Sequence, residues 1–269
     1  MTESSVTRIG PAPRIAVEHA GQGELVVFLH GIGGNRRNWN SQVAAFAPHL
    51  HAAAWDARGY GDSDDYDGPL SFTDYADDLV RVLDHFGAPR AHVVGLSMGG
   101  RIAMDFAARH QERLKTLVLC DTHKGFAGWS EEKKRAFIAS RKEPLVAGKE
   151  PKDIAEPVAR TLVGPNASKE ALGELIDSMS RLHKTSYIKS IEASVMMPVR
   201  DDLDRIAVPT LVLVGSHDRL TPVEAARELT AEIAGAEFVI IDDAGHLPNI
   251  EQPAAFNAAV LAFLRRHVG

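Results

Sequence analysis

The sequence predicts an α/β protein in which helices flank a mostly parallel sheet of eight strands. Three observations predict it. Short aliphatic runs alternate with segments of helical period, the strongest runs are apolar throughout, and the chain of 269 residues is long enough for one large core. With 45% hydrophobic and 25% charged residues, the composition is that of a globular domain rather than a disordered or fibrous chain.

Four continuous apolar runs predict buried parallel strands, because a strand that is covered on both faces has no polar side. Two weaker runs are further members of the sheet. A turn at 10–13, with the sequence Gly-Pro-Ala-Pro, is predicted to join two N-terminal strands. The four strong runs are 25–29, 92–94, 117–119 and 211–214, and the two weaker ones are 52–55 and 238–241.

Helical period between these runs predicts flanking helices over 72–86, 102–108 and 256–264. The alternation stops after Asp121. Residues 123–199 show helical patterns without a strand, which predicts a helical cap inserted into a core that is formed by 1–122 and 200–269.

The predicted cap differs in charge from the rest of the chain. From His123 to Arg200 there are 14 basic and 10 acidic residues, which makes this segment +4 and leaves the remainder at −10. Solvated amphipathic helices explain the difference, and attraction of an anionic substrate is the alternative.

The overall charge and the single cysteine limit the partners and the compartment. With 30 basic and 36 acidic residues, the chain lacks the basic excess that nucleic acids and anionic membranes favour, so a small-molecule partner is expected. Cys120 has no second cysteine with which to form an intrachain disulfide. The N-terminus does not resemble a signal peptide, and the longest apolar run, 258–264, is too short to cross a membrane. We expect a cytoplasmic protein, and a homodimer remains open.

Residues 95–99 have the sequence Gly-Leu-Ser-Met-Gly, which is the G-x-S-x-G pattern of a serine on a tight turn between a strand and a helix. Such a turn strains the backbone at Ser97 and needs small neighbours two positions away, which Gly95 and Gly99 provide. It exposes the serine hydroxyl at the carboxyl ends of the strands, where open α/β sheets bind their ligands. The pattern predicts Ser97 as a nucleophile, and the alternative is a glycine-rich turn with a capping serine.

A serine hydroxyl needs a base to remove its proton and an acid to orient that base. Asp218 follows the last of the four strong runs, and His246 follows the last predicted strand in a glycine turn. Ser97, Asp218 and His246 therefore occur in the order nucleophile, acid, base, each just beyond a strand. His217 is the rival base, but it adjoins Asp218 and cannot readily pair with it and also reach Ser97. Asp121 is the rival acid, since it too ends a strand.

Two backbone N–H groups are needed where the attacked carbonyl oxygen becomes negative. One is expected from Met98, the residue after the nucleophile. The second is expected from Ile32 in the loop 30–34, whose glycines let the backbone approach a substrate. The alternative is that this loop is only a flexible turn before the helix around Trp39.

These motifs together resemble the α/β-hydrolase superfamily, and the resemblance covers the chain outside the predicted cap. Residues 56–63 add the superfamily pattern Asp-x-Arg-Gly-x-Gly-x-Ser, which we interpret as a structural turn tied by its charged side chains. The segments that look most like the 3-oxoadipate enol-lactonase and carboxylesterase branch are 30–34, 95–100, 208–210 and 215–218.

The resemblance implies a serine hydrolase that cleaves a small carboxylic ester or lactone through an acyl-enzyme on Ser97, with no cofactor and no metal. C–C bond hydrolysis, amide hydrolysis and cofactor-free perhydrolysis are the alternatives, and a ligand-binding receptor of this fold is a non-enzymatic one. Haloalkane dehalogenases carry an aspartate at the serine position, so that reaction is disfavoured. Candidate substrate contacts in the cap are Trp129, Met179, Arg141, Arg160 and Arg181. The three arginines are candidate partners for a substrate carboxylate, and the alternative for each is a solvated helix charge.

Overall fold

The computed structural model of the chain describes residues 3–126 and 128–268. Within these residues, eight strands form one sheet, as the sequence predicts. The strands are β1 (Ser5–Ile9), β2 (Ile15–Ala20), β3 (Leu25–Leu29), β4 (His51–Trp55), β5 (Ala91–Leu96), β6 (Leu114–Cys120), β7 (Thr210–Gly215) and β8 (Glu237–Ile241).

The order across the sheet is β1-β2-β4-β3-β5-β6-β7-β8. β2 pairs antiparallel with both of its neighbours, while the pairs from β4 to β8 are parallel. The register brings the carboxyl ends of the central strands side by side, since Leu29 pairs with Gly95 and Leu96 pairs with Cys120. Loops that follow β3, β5 and β6 therefore start at one edge of the sheet, where open α/β folds bind ligands.

The strong apolar runs form the centre of the core. Every residue of β3, β5 and β7 is buried, which is what the continuous apolar pattern predicts for strands covered on both faces. The 117–119 strand is longer than predicted because it begins at Leu114, and the 92–94 strand continues to Leu96.

Ten α-helices lie in the described parts of the chain. The helix predicted at 102–108 begins earlier, directly after Ser97, and the helices predicted at 72–86 and 256–264 form close to those bounds. The helices are α1 (Asn40–Phe46), α2 (Phe72–His85), α3 (Met98–His110), α4 (Glu131–Val146), α5 (Pro151–Leu162), α6 (Lys169–Ser180), α7 (Lys184–Met196), α8 (Val223–Glu232), α9 (Pro248–Glu251) and α10 (Pro253–Arg265).

Four helices, α4 to α7, occupy the segment between β6 and β7, and we call them the inserted helices. α5 packs against α6, and α4 packs against α7. Serine hydroxyls cap two of them, because Ser130 accepts from the Lys133 N–H and Ser168 accepts from the Ala171 N–H. Among the described residues, no helix combines the length and the apolar character that a membrane crossing requires.

Candidate active site

Ser97 lies on the turn between β5 and α3 with backbone angles φ 53° and ψ −114°. A positive φ is rare for a residue with a side chain and persists only where the surroundings fix it. Here the Ser97 N–H donates to the Cys120 carbonyl at 2.9 Å, and its carbonyl accepts from the Thr122 hydroxyl at 2.7 Å. The strained turn is therefore held by the strand next to it.

The two glycines around Ser97 are required by the space available. A Cβ at Gly99 would lie 2.1 Å from the Leu29 carbonyl oxygen, and a Cβ at Gly95 would lie 2.3 Å from the Gly99 carbonyl oxygen. Any larger residue at either position would force the backbone of β3 or α3 to move. The close approach of α3 to the end of β3 explains why this motif needs glycine at these two positions.

His246 and Asp218 form a buried pair, with 2.8 Å between His246 Nδ1 and Asp218 Oδ2. Their side chains are 5% and 0% exposed, respectively, so the hydrogen bond is shielded from water. Leu220 and Thr221 donate backbone N–H groups to the other carboxylate oxygen, Oδ1, at 2.8 and 3.1 Å, and the Thr221 hydroxyl also donates to this carboxylate. Burial alone would raise the pKa of Asp218, but the His246 imidazole and these hydrogen bonds lower it well below its ordinary value.

Asp121, the rival acid, lies beside Asp218 and is fully buried, with φ 44°. Burial raises the pKa of Asp121 well above its ordinary value, and the neighbouring Asp218 raises it further. Its Oδ1 accepts from the Gly215 N–H at 2.9 Å, and its Oδ2 accepts from the Cys120 thiol at 3.0 Å. The His246 hydrogen bond goes to Asp218, so Asp121 is a protonated neighbour of the acid rather than the direct partner of the imidazole.

The turn that carries His246 is held by a carboxylate that sequence reasoning missed. Glu251 accepts from the Gly245 N–H at 3.0 Å, from the Leu247 N–H at 3.2 Å and from the Gly164 N–H at 2.7 Å. The His246 N–H donates to the Leu162 carbonyl at 2.8 Å. In the sequence, only the spacing of five residues from His246 points to Glu251. That spacing does not distinguish a carboxylate that holds the His246 turn from a solvated helix charge.

The loop that contains Ile32 lies against the serine turn. A Cβ at Gly31 would be 3.1 Å from the Ser97 Cβ, and the Gly33 carbonyl accepts from the Ser178 hydroxyl of α6 at 3.1 Å. Met98 is the first residue of α3, and the first N–H groups of a helix have no partner within the helix. Ile32 and Met98 both line the pocket that contains Ser97.

This pocket encloses about 700 Å³, its open mouth included, and Ser97 and His246 both line it. The inserted helices contribute much of an apolar wall, to which α4, α5, α6 and α7 all add side chains. Apolar members of the wall are Phe137, Val158, Leu162, Met179, Ile191 and Val195.

The structure brings two of the five candidate substrate contacts to the pocket, Met179 and Arg141. Arg160 and Arg181 do not line it. They are 60% and 53% exposed, and each pairs with an acid one helical turn earlier, Glu156 and Asp177 respectively. For Arg160 and Arg181 the structure therefore supports the alternative of a solvated helix charge, because both are surface charges satisfied within their own helices.

Trp129 is also absent from the pocket lining. Its ring packs behind two rings that do line the pocket, with centroid distances of 4.6 Å to Phe126 and 5.4 Å to Phe137. Trp129 supports the pocket wall rather than contacting its contents. His217, the rival base, is half exposed, and its Nε2 lies 3.9 Å from Oδ1 of Asp243.

The comparison with known proteins identifies the family. A family model described as the alpha/beta hydrolase fold matches residues 24–253. The chain belongs to the α/β-hydrolase family.

The relatives of this α/β hydrolase have the names of different hydrolases. The chain is 28% identical to 3-oxoadipate enol-lactonase 2 of Acinetobacter baylyi over 95% of both chains. It is 31% identical to the 2-hydroxy-6-oxononadienedioate/2-hydroxy-6-oxononatrienedioate hydrolase of Klebsiella pneumoniae over 98% of both chains. Its structure is similar to a malate-bound esterase from Thermogutta terrifontis, with a TM-score of 0.88, 28% identity and coverage of 99% of this chain and 100% of that one. Family and relatives together make this chain a hydrolase.

Charged side chains tie the turn at 56–63 in this α/β hydrolase, as expected. Asp56 is fully buried, accepts from the Arg36 N–H at 2.7 Å and pairs with the Arg36 guanidinium. Arg58 pairs with Asp78 of α2 at 2.7 Å. These contacts fix the loop after β4 without placing it in the pocket.

Three side chains in the part of the hydrolase that the structure describes have the composition of a cation site. Asp121, Asp218 and His246 offer ligand atoms within 4.8 Å of one another. Each is already engaged, because Asp218 accepts from His246 and Asp121 accepts from the Gly215 N–H. A cation would have to break the His246–Asp218 hydrogen bond, so the arrangement suits proton transfer better than metal binding.

We expect the Asp121→Asn variant of this hydrolase to reveal the raised pKa as a pH-dependent difference in stability. The folded protein keeps a proton on Asp121 that the unfolded chain releases as the pH rises above about 4. The unfolding free energy of the wild type, relative to that of the asparagine variant, is therefore highest below that pH. Above it, this difference declines by up to about 1.4 kcal/mol per pH unit. Urea unfolding of both proteins from acid to neutral pH measures this decline.

The exposed residue Asp67 provides the matched control. For Asp67→Asn, the difference in unfolding free energy should stay flat over the same pH range. A flat difference for Asp121→Asn would contradict a protonated Asp121.

Proposed function

We propose that this α/β hydrolase cleaves a small carboxylic ester or lactone through an acyl-enzyme formed on Ser97. One observation carries the proposal: a serine on a strained turn and a buried His246–Asp218 pair line one mostly apolar pocket. Nucleophile, base and acid with these relations are the arrangement that activates a hydroxyl.

In the first step, Ser97 Oγ attacks the carbonyl carbon while His246 Nε2 accepts the hydroxyl proton. Asp218 holds the imidazole by its Nδ1–H and stabilises the imidazolium that forms. The carbonyl oxygen becomes negative and accepts hydrogen bonds from the N–H groups of Ile32 and Met98. When the tetrahedral intermediate collapses, the C–O bond breaks, and His246 gives its proton to the leaving alkoxide.

The second step repeats this chemistry with water. His246 removes a proton from the water, the resulting hydroxide attacks the acyl-enzyme, and the Ser97 oxygen leaves as it regains a proton. The products are a carboxylic acid and an alcohol, or one hydroxy acid when the substrate is a lactone. In this proposal the inserted helices act as a cap that selects the substrate, because they form much of the pocket wall.

A fluorophosphonate and a series of p-nitrophenyl esters and simple lactones test the proposal. We expect hydrolysis that favours short acyl chains, together with a phosphonate adduct at Ser97 in the mass spectrum of the digested protein. Labelling without turnover of any ester or lactone would reject this substrate class while leaving the nucleophile in place. Turnover without labelling at Ser97 would reject the acyl-enzyme.

C–C bond hydrolysis is a second candidate, and the likeness to the Klebsiella pneumoniae hydrolase over 98% of both chains favours it. The same serine and base would then act on a ketone rather than an ester. Incubation with a 2-hydroxy-6-oxodienoate, followed by chromatography of the products, distinguishes the two, since only C–C cleavage releases a carboxylic acid and a shorter hydroxydienoate.

A further inference from the structure

Arg101 lies on α3 one turn after Ser97 and lines the same pocket. Its side chain is almost completely buried, and the residue is only 3% exposed. One guanidinium nitrogen, Nη1, donates to the Ser194 carbonyl near the end of α7, while the other, Nη2, is buried without a hydrogen-bond partner. The rings of Phe72 and Phe126 lie 5.3 and 5.6 Å from the guanidinium carbon.

The charge of Arg101 has no carboxylate to balance it within the described residues. The other strongly buried arginine of the fold, Arg36, shows the usual arrangement, because it pairs with Asp56 and Asp62. Burial lowers the pKa of Arg101 to about 10, which still leaves the group cationic at neutral pH. A buried cation without a counter-ion costs free energy, so its presence beside a reactive serine calls for a ligand that supplies the charge.

His123 and Ser194 add hydrogen-bond donors to the part of the pocket that Arg101 lines. The His123 ring accepts the Gly125 N–H on Nδ1, so Nε2 of the neutral ring carries the hydrogen. Burial, aided by the charge of Arg101, lowers the pKa of His123 to about 4, which keeps the ring neutral at physiological pH. The Ser194 hydroxyl is buried without a partner, and both residues line the pocket.

The other charged side chain in the wall is also positive. Arg141 lines the pocket with its guanidinium carbon 3.8 Å from the centre of the Phe137 ring. Among the described lining residues, none carries a carboxyl group. An apolar pocket with two cations and unused donors suits a ligand that is mainly hydrocarbon and carries one compact anion.

We propose that Arg101 binds a carboxylate of the substrate, so that the natural ester or lactone carries a free carboxylate a short chain away from the bond that Ser97 cleaves. The planar fork of a guanidinium matches a carboxylate, and Nη2 is the atom left free to donate. The identity of the cleaved bond rests on the proposed function, whereas the binding of a carboxylate by Arg101 does not.

A purely structural role for Arg101 makes a different prediction. If the guanidinium only joins α3 to the end of α7 through the Ser194 carbonyl, its removal should weaken the fold and lower the hydrolysis of all esters alike. A carboxylate subsite should instead change the preference between an anionic ester and a neutral one of the same shape.

The kinetic test compares monoethyl glutarate with ethyl 5-oxohexanoate, in which a methyl ketone replaces the carboxylate. We expect the wild type to prefer the anionic ester, and Arg101→Met to lower the ratio of the two kcat/KM values by about 100-fold. Arg101→Lys keeps the charge without the fork and should lower the ratio by about tenfold. Arg109→Met, an exposed and acid-paired arginine on the same helix, is the control and should leave the ratio as in the wild type.

A binding test keeps this inference separate from the reaction. In the Ser97→Ala background, calorimetry with monoethyl glutarate should show binding that Arg101→Met abolishes and Arg109→Met retains. If the wild type hydrolyses neither ester but this pattern holds, the proposed reaction fails and the anion site stands. An unchanged ratio or unchanged binding in a folded Arg101 variant overturns the anion site. If Arg101→Met does not fold, Arg101→Lys decides in the same way.

Discussion

Alanine at position 97 is expected to lower kcat for a short-chain ester by about 10⁵- to 10⁶-fold, the scale on which catalytic serines act. The variant loses the proposed nucleophile, while the pocket and the proposed oxyanion donors remain. His246→Ala should cost a similar factor, because neither residue works without the other. The double variant should therefore be little worse than either single one.

Steady-state rates, with circular dichroism to confirm folding, measure these losses. Alanine keeps the Cβ of serine, so the positive φ at this position is as strained in the variant as in the wild type, and the melting temperature should change little. Retention of a hundredth or more of the wild-type rate by a purified Ser97→Ala protein would contradict the acyl-enzyme route.

The second large effect is expected at Asp218. Asp218→Asn keeps the shape of the side chain but removes the charge that fixes the His246 tautomer, and such a change costs about 10⁴-fold in kcat. The identical substitution at Asp121 is the matched comparison. It should cost less than about tenfold, because an asparagine imitates the protonated acid and can still donate to Asp218.

The ratio between these two losses decides which acid serves the base. Equal losses, or a larger loss for Asp121→Asn, would assign the role to Asp121. The rates of both variants should be compared at a pH where the wild type is fully active, so that the titration of other groups does not enter the ratio.

Local sequence patterns were enough to predict the sheet and the three residues of the proposed triad. The continuous apolar runs predicted buried strands such as β3 and β7, because a strand that is buried on both faces is apolar at successive positions. Ser97 was predictable because a strained turn needs glycines at fixed offsets, and those offsets are visible in one sequence.

The residues that the sequence did not reveal act through partners distant in the chain. Glu251 joins the His246 turn to Gly164, which lies 87 positions earlier and donates its N–H to the Glu251 carboxylate. Arg101 is notable because no acid pairs with it in the described part of the chain, and a single sequence cannot show a missing partner. For Arg160 and Arg181 the sequence already favours a solvated helix charge, since each follows an acid by four residues, the spacing of a helical ion pair.

The hydrogen bonds between the base turn and the end of α5 limit how freely the specificity of this enzyme can be redesigned. Leu162 supplies the carbonyl that the His246 N–H needs, and Gly164 shares Glu251 with Gly245. A foreign segment grafted in place of α4 to α7 would have to present the same carbonyl and amide. Its backbone would also have to pass as close to Gly245, where a Cβ would lie only 2.4 Å from the Gly164 nitrogen. The inserted helices are therefore not an interchangeable module, and substitutions that keep residues 162–164 are the better route to a new substrate.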